Sequence, residues 1–193
     1  MRLSKIFAAA LLMGMVGQAA RAQIPGLPFY PTPTGLGVMV SADYADPGNS
    51  TSLYAVRGGI GFGPFGATAV VGAYKVSSFS AKTMYGGTAA MKLFGGGMLP
   101  VSLAAQVGVG QVKYPVSGTT TTYVPVGVAA RLTVPLFPLK PFAVGYYTLG
   151  SSDVQNEVRV TLGADFNVLM GLGVHAAYDM GKDVNTWGVV LVI

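Results

Sequence analysis

From Thr34 to Ile193 apolar residues recur at alternate positions, in runs long enough to cross a hydrocarbon core as strands. Ten runs stand out: 34–44, 53–63, 66–76, 84–94, 101–114, 122–134, 141–149, 156–166, 171–179 and 185–193. A period of two belongs to β-strands, whose side chains point to opposite faces in turn, whereas a helix repeats every 3.6 residues. A tilted strand needs roughly 9–11 residues to span a bilayer. The chain thus predicts an all-β, transmembrane antiparallel up-and-down barrel of about ten strands over residues 34–193. Runs 66–76 and 141–149 alternate poorly, which leaves eight strands as the other count. Pro125 should interrupt the ladder of its run, and a change of phase after Val109 suggests a bulge near Gly110.

The charges choose a face. In run 156–166, Val158, Val160, Leu162, Ala164 and Phe166 oppose Glu157, Arg159, Thr161, Gly163 and Asp165. Runs 53–63, 122–134 and 171–179 repeat the pattern. Asp43, Arg57, Lys75, Lys92, Arg131, Glu157, Arg159, Asp165 and Asp179 all fall opposite the aliphatics, with His175 beside them. A charge facing lipid at mid-bilayer costs about 2–4 kcal/mol, so these ten residues are expected to form a luminal ionic network. Five basic groups against four acidic ones nearly cancel, and a barrel this narrow should pair them across the lumen. Such a lumen disfavours a wide, charge-selective pore, although Gly37, Gly59, Gly61, Ala90, Gly108, Gly127, Gly163 and Gly173 leave room for water. A soluble lipocalin-like ligand binder would also alternate, with its apolar face inward.

Aromatic residues sort by rim. Tyr44, Tyr54, Tyr74, Tyr85, Tyr114, Tyr123, Tyr146, Tyr147 and Tyr178, with Trp187, lie where runs meet the polar connections 45–52, 77–83, 115–121, 150–156 and 180–185. Phe62, Phe65, Phe94, Phe137, Phe142 and Phe166 lie near the tighter turns. Amphipathic rings favour the boundary between water and hydrocarbon. The tyrosines and Trp187 therefore read as a membrane-interface belt on the outer rim, with both ends of the barrel at the opposite, periplasmic rim.

Arg2 and Lys5 precede an apolar run from Ile6 to Val16, and Ala20-Arg21-Ala22 fits a cleavage site, so residues 1–22 read as a secretory signal peptide cut after Ala22. Its removal leaves nine basic against seven acidic residues, a net charge of +2 in place of +5. No clustered basic footprint for nucleic acid remains. Residues 23–33 (QIPGLPFYPTP) carry four prolines and read as an extended periplasmic lead-in. Mean hydropathy is high at +0.54, yet after residue 22 no apolar stretch reaches the ~18 residues of a membrane helix. There is no cysteine, hence no disulfide frame.

Little in the chain looks catalytic. His175 is the only histidine, and Asp179, four residues on, would stand about 13 Å away along a strand. One histidine without cysteine makes a transition-metal site improbable. GGIGFG (58–63) lies within a strand run with no helix behind it, unlike a phosphate-binding loop. No enzyme activity, cofactor or metal is expected.

The signal-like N-terminus, the alternating hairpins from 34 to 193 and the terminal run from Trp187 to Ile193 make the chain resemble the small bacterial outer-membrane β-barrel proteins. In the terminal run Trp187, Val189, Leu191 and Ile193 carry the alternation. The resemblance implies a monomer in the cell outer membrane, surrounded by outer-membrane lipid and inserted by the barrel-assembly machinery. It implies a structural or surface-interaction role around a narrow, ion-paired lumen. Alternatives are a small-solute pore or transporter and a membrane-embedded lipid-modifying enzyme that would use His175.

Overall fold

The computed structural model describes residues 27–48, 50–96, 99–114, 117–134, 137–150, 156–169, 172–181 and 185–192. The signal peptide and its cleavage site lie outside these residues. Ten strands follow one another: β1 (Gly37–Gly48), β2 (Thr51–Phe62), β3 (Phe65–Val76), β4 (Lys82–Gly96), β5 (Leu99–Lys113), β6 (Thr120–Leu132), β7 (Leu139–Gly150), β8 (Glu157–Leu169), β9 (Leu172–Met180) and β10 (Thr186–Val192). Each pairs antiparallel with its neighbour in sequence, and β10 returns to β1 through the register Ser41↔Val192 to Asp46↔Trp187. The barrel is closed and has ten strands, not eight. Runs 66–76 and 141–149 become β3 and β7, paired along their length. Closure leaves no edge with unpaired backbone groups, the condition for a sheet to sit in lipid.

Two local expectations resolve differently. Pro125 lies in β6, and its ladder to β5 passes from Val107↔Val126 to Gly110↔Tyr123 without pairing Val124 or Pro125. A residue lacking N–H interrupts a ladder in this way. Near Gly110 there is no bulge, since β5 keeps one register with β4 from Met84↔Val112 to Lys92↔Ala104. The change of phase in the sequence has another cause: the outward face of β5 turns polar at Gln111 and Lys113.

The wall faces are well separated. Val38, Val56, Ile60, Phe62, Val71, Leu93, Val126, Val128, Val158, Leu162 and Leu191 are exposed on the outside. Buried Ser41, Asp43, Arg57, Gln106, Thr148, Thr161, Asp165 and Asp179 line the inside. A soluble lipocalin-like barrel would hold its apolar face inward, so that alternative fails here. Large apolar side chains over most of the outer wall are what hydrocarbon solvates and water does not.

Candidate functional site

The inside of the barrel holds the N-terminal segment. Leu27, Pro28, Phe29, Tyr30 and Thr32 are buried, although residues 23–33 were expected to lie outside the barrel as a lead-in. Leu27 packs among Ala45, Leu53, Ala55, Val70, Met84 and Val112, at the end that carries the longer polar loops. Deeper in, the Phe29 ring meets Tyr146 edge-on at 4.9 Å between centroids. Its backbone N–H donates to the Thr161 hydroxyl at 3.2 Å. Tyr30 stands edge-on to Phe142 and His175, and the Arg57 guanidinium lies 5.0 Å over its ring. The Thr32 N–H donates to Gln106 Oε1 at 3.1 Å, and the Thr32 hydroxyl shares a hydrogen bond with Thr88. Gly35 donates from its N–H to the Gly63 carbonyl at 2.9 Å, where the chain turns into β1 at the opposite rim.

Residues 27–35 therefore run from one rim of the lumen to the other, touching most of the strands. Inward glycines make the passage possible. A methyl group added at Gly66 would run into the Pro33 carbonyl oxygen, and one at Gly61 into the backbone of Pro33 and Gly35. Room that the sequence reading assigned to water at Gly59 and Gly61 is thus bounded by the chain itself. One trait of the segment signals this course. QIPGLPFYPTP has no charge and carries Leu27, Phe29 and Tyr30 among its prolines, whereas a solvated linker is poor in such groups.

Around the segment the inward charges are paired along the wall. Asp43 on β1 meets Arg57 on β2 at 2.6 Å and accepts from the Ser41 hydroxyl at 2.8 Å. Asp165 on β8 meets Arg131 on β6 at 3.0 Å and His175 Nδ1 on β9 at 3.2 Å. Asp179 takes Arg159 Nη2 at 2.6 Å and Nε at 2.8 Å on one oxygen. Its other oxygen accepts from the hydroxyls of Tyr146 at 2.7 Å and Thr161 at 2.6 Å. Arg159 also pairs with Glu157. Apart from Glu157–Arg159, which lies within β8, these pairs join strands one or two apart and do not reach across the lumen as expected, because residues 27–33 occupy its centre.

Lys92 shares the inward phase of buried Ala90 and is half-buried, but none of the ion pairs found among the described residues includes it. Lys75 departs from expectation. On β3 the buried Val70 marks the inward phase and the exposed Val71 the outward one, which places Lys75 outside, near the polar rim. The adjacent valines 70 and 71 hide the phase in the sequence. His175 finds its partner in Asp165, directly opposite in the β8–β9 register, and not in Asp179. Counting back from a 167–171 turn sets Asp165 opposite Gly173; β8 instead runs on to Leu169 with a register shift between Asn167 and Leu169, and this brings Asp165 opposite His175.

The tyrosine belt divides. Tyr54, Tyr85, Tyr147, Tyr178 and Trp187 are exposed on the outer wall, and Tyr44 packs there against Tyr54 and Trp187 at 5.3 and 5.4 Å. Tyr74, Tyr114, Tyr123 and Tyr146 point inward, contrary to expectation. Tyr74 and Tyr114 stack edge-on at 5.4 Å, Tyr114 and Tyr123 share a hydroxyl hydrogen bond, and Tyr146 is buried. Near a rim both faces of a strand carry polar aromatics, so residue type alone does not tell inside from outside. Of the phenylalanines, Phe62, Phe65, Phe94, Phe137 and Phe166 are exposed at or near the other rim, and Phe142 is luminal.

No protein-family model matches the chain, and no curated protein matches it. Solved structures similar to the chain include a designed and a natural β-barrel. A de novo designed transmembrane β-barrel shares 14% identity over 89% of this chain and 97% of its own, with a TM-score of 0.39. The N-terminal β-barrel domain of Pseudomonas aeruginosa OprF shares 11% over 81% and 96%, with a TM-score of 0.38. The translocator domain of the autotransporter NalP from Neisseria meningitidis shares 13% over 98% and 96%, with a TM-score of 0.40.

Proposed function

We propose that this chain is an integral outer-membrane β-barrel protein with a structural or surface-interaction role, closed to solutes by its own N-terminal segment. One observation carries this: residues 27–35 run along the lumen from rim to rim, held by hydrogen bonds to Thr161, Gln106 and Gly63 and by rings from β7 and β9. The ion pairs neutralise most of the inward charge around it, with Lys92 outside the pairs found among the described residues. The His175–Asp165 pair lies inside the barrel against Tyr30, away from the lipid that a membrane-embedded hydrolase would need to reach. The mature chain is expected to be a monomer whose only obligatory neighbours are outer-membrane lipid and, during insertion, the barrel-assembly machinery.

Conductance in a planar bilayer tests the proposal. The folded wild-type protein should be silent, and a variant lacking residues 24–33 should give steps of current. A wild-type protein that conducts as the deletion variant does would return the pore reading to first place.

A further inference from the structure

The outer wall has one polar interruption in its aromatic rim. Outward positions at the polar-loop end of β1, β2, β7, β9 and β10 carry Tyr44, Tyr54, Tyr147, Leu149, Tyr178 and Trp187. On β4, β5 and β6 the corresponding face carries Thr83, Gln111, Lys113, Thr120 and Thr122, with Tyr85 alone continuing the aromatics. The patch is organised. Gln111, though on the lipid side, is only 8% exposed. It accepts a hydrogen bond from the Tyr85 hydroxyl and donates one to the Thr122 hydroxyl at 3.1 Å. A buried side-chain amide on a membrane-facing wall would be costly without those partners.

Beside it Ala81, Lys82, Thr83, Tyr85, Gln111, Lys113 and Thr120 enclose a recess of about 280 Å³. Thr83, Gln111, Lys113 and Thr120 belong to the outward face here, Lys82 joins the lining from the first position of β4 with the phase of buried Met84, and none of these residues is acidic. Lys75 stands on the same outward face one strand away. The charge of the chain reinforces the site: between residues 47 and 152 there are seven basic residues and no acidic one. On the outward face of β2 to β7 the charges are those of Lys75 and Lys113, with Lys82 at the start of β4, and no carboxylate offsets them there. Arg57 and Arg131 on the same strands are neutralised from inside by Asp43 and Asp165, whereas Lys75, Lys82 and Lys113 stand at the outer rim.

The geometry points to a binding site at this recess for the phosphate of an anionic membrane lipid. An ammonium at the boundary between water and hydrocarbon extends to the headgroup layer with its stem along apolar surface. There it meets phosphate, whose oxygens accept from several donors at once. Lys113 with the flanking Thr83 and Thr120 supplies such donors, and Lys82 stands at the strand end beside them. The place of the recess, on the outward wall at the rim, selects a lipid headgroup over an anion from solution. This inference rests on the proposal that the wall faces a bilayer.

Reconstitution of the full mature protein into phosphatidylcholine nanodiscs containing a minor fraction of phosphatidic acid provides the test. Phosphatidic acid retained by the protein after exchange into detergent is counted by mass spectrometry. Wild-type protein should retain it, and Lys82→Gln with Lys113→Gln should retain roughly tenfold less. Lys140→Gln, at the other rim, should match the wild type, and Lys113→Arg with Lys82 intact should keep retention. Equal retention by the double variant overturns the site. So does complete release of the lipid by excess inorganic phosphate, which would mark a site for a free anion. A gel shift between unheated and boiled samples shows that each variant is folded, and a protein that failed to enter nanodiscs would refute the membrane assignment instead.

Discussion

Arg57 pairs with the Asp43 carboxylate through one edge of its guanidinium and covers the Tyr30 ring with its face. A single truncation here leaves the other charge buried and unpaired, which costs far more than the net stabilisation of the pair. Arg57→Ala should therefore destabilise the barrel by about 3–5 kcal/mol, whereas Asp43→Asn with Arg57→Gln should lose clearly less. Urea titration followed by the heat-dependent gel shift would show the difference. A double variant as unstable as the single one would show that stacking on Tyr30, and not the charge, matters most. The inward charges were legible in the sequence because strict alternation places Arg57, Arg131, Glu157, Arg159, Asp165 and Asp179 without knowledge of the partner strands. Their pairings were not, since Arg131 and Asp165 meet across β7 and only the three-dimensional register brings them together. Lys75 was misplaced because two adjacent valines mask the phase of its strand, and Tyr74 was misplaced with it.

At the scale of elements, β5 and the 27–35 segment show how much a pattern can conceal. The lost alternation near Gly110 suggests a bulge, yet the strand is regular and its outward face carries Gln111 and Lys113. A period-two rule assumes that the same face stays apolar along a strand, and it fails where the faces exchange character, as they do with Val112 packed inside against Leu27 and Gln111 and Lys113 outside. For the N-terminal segment, proline content reports an extended backbone correctly but is silent about its surroundings. Its passage depends on inward positions of β2 and β3 without side chains. Gly66→Leu, whose branched side chain would occupy the place of the Pro33 carbonyl, should expel part of the segment and produce current where the wild type is silent. Gly145→Ala makes a suitable comparison, since an added methyl there meets nothing within 4 Å. Planar-bilayer recording of the two variants side by side gives the result, and silence from a folded Gly66→Leu protein would show that the segment adjusts without opening the lumen.

For the whole molecule, ten antiparallel strands bring the first and last together, and the closing pair β1–β10 joins parts of the chain about as far apart as the fold allows. Such a contact carries a large loop-closure cost and is expected late in folding. Trp187, the only tryptophan, lies at this seam against Tyr44, so its fluorescence reports when the seam forms. The segment from Leu27 to Gly35 leads directly into β1. A cylinder that closed first would have to take the segment in lengthwise, past inward side chains already paired along the wall. Assembly is therefore expected to wrap the sheet around a segment already in place, as staves are raised around a former. Fluorescence of Trp187 should accordingly rise more slowly in the variant lacking residues 24–33, because the curving sheet has lost the guide around which it closes.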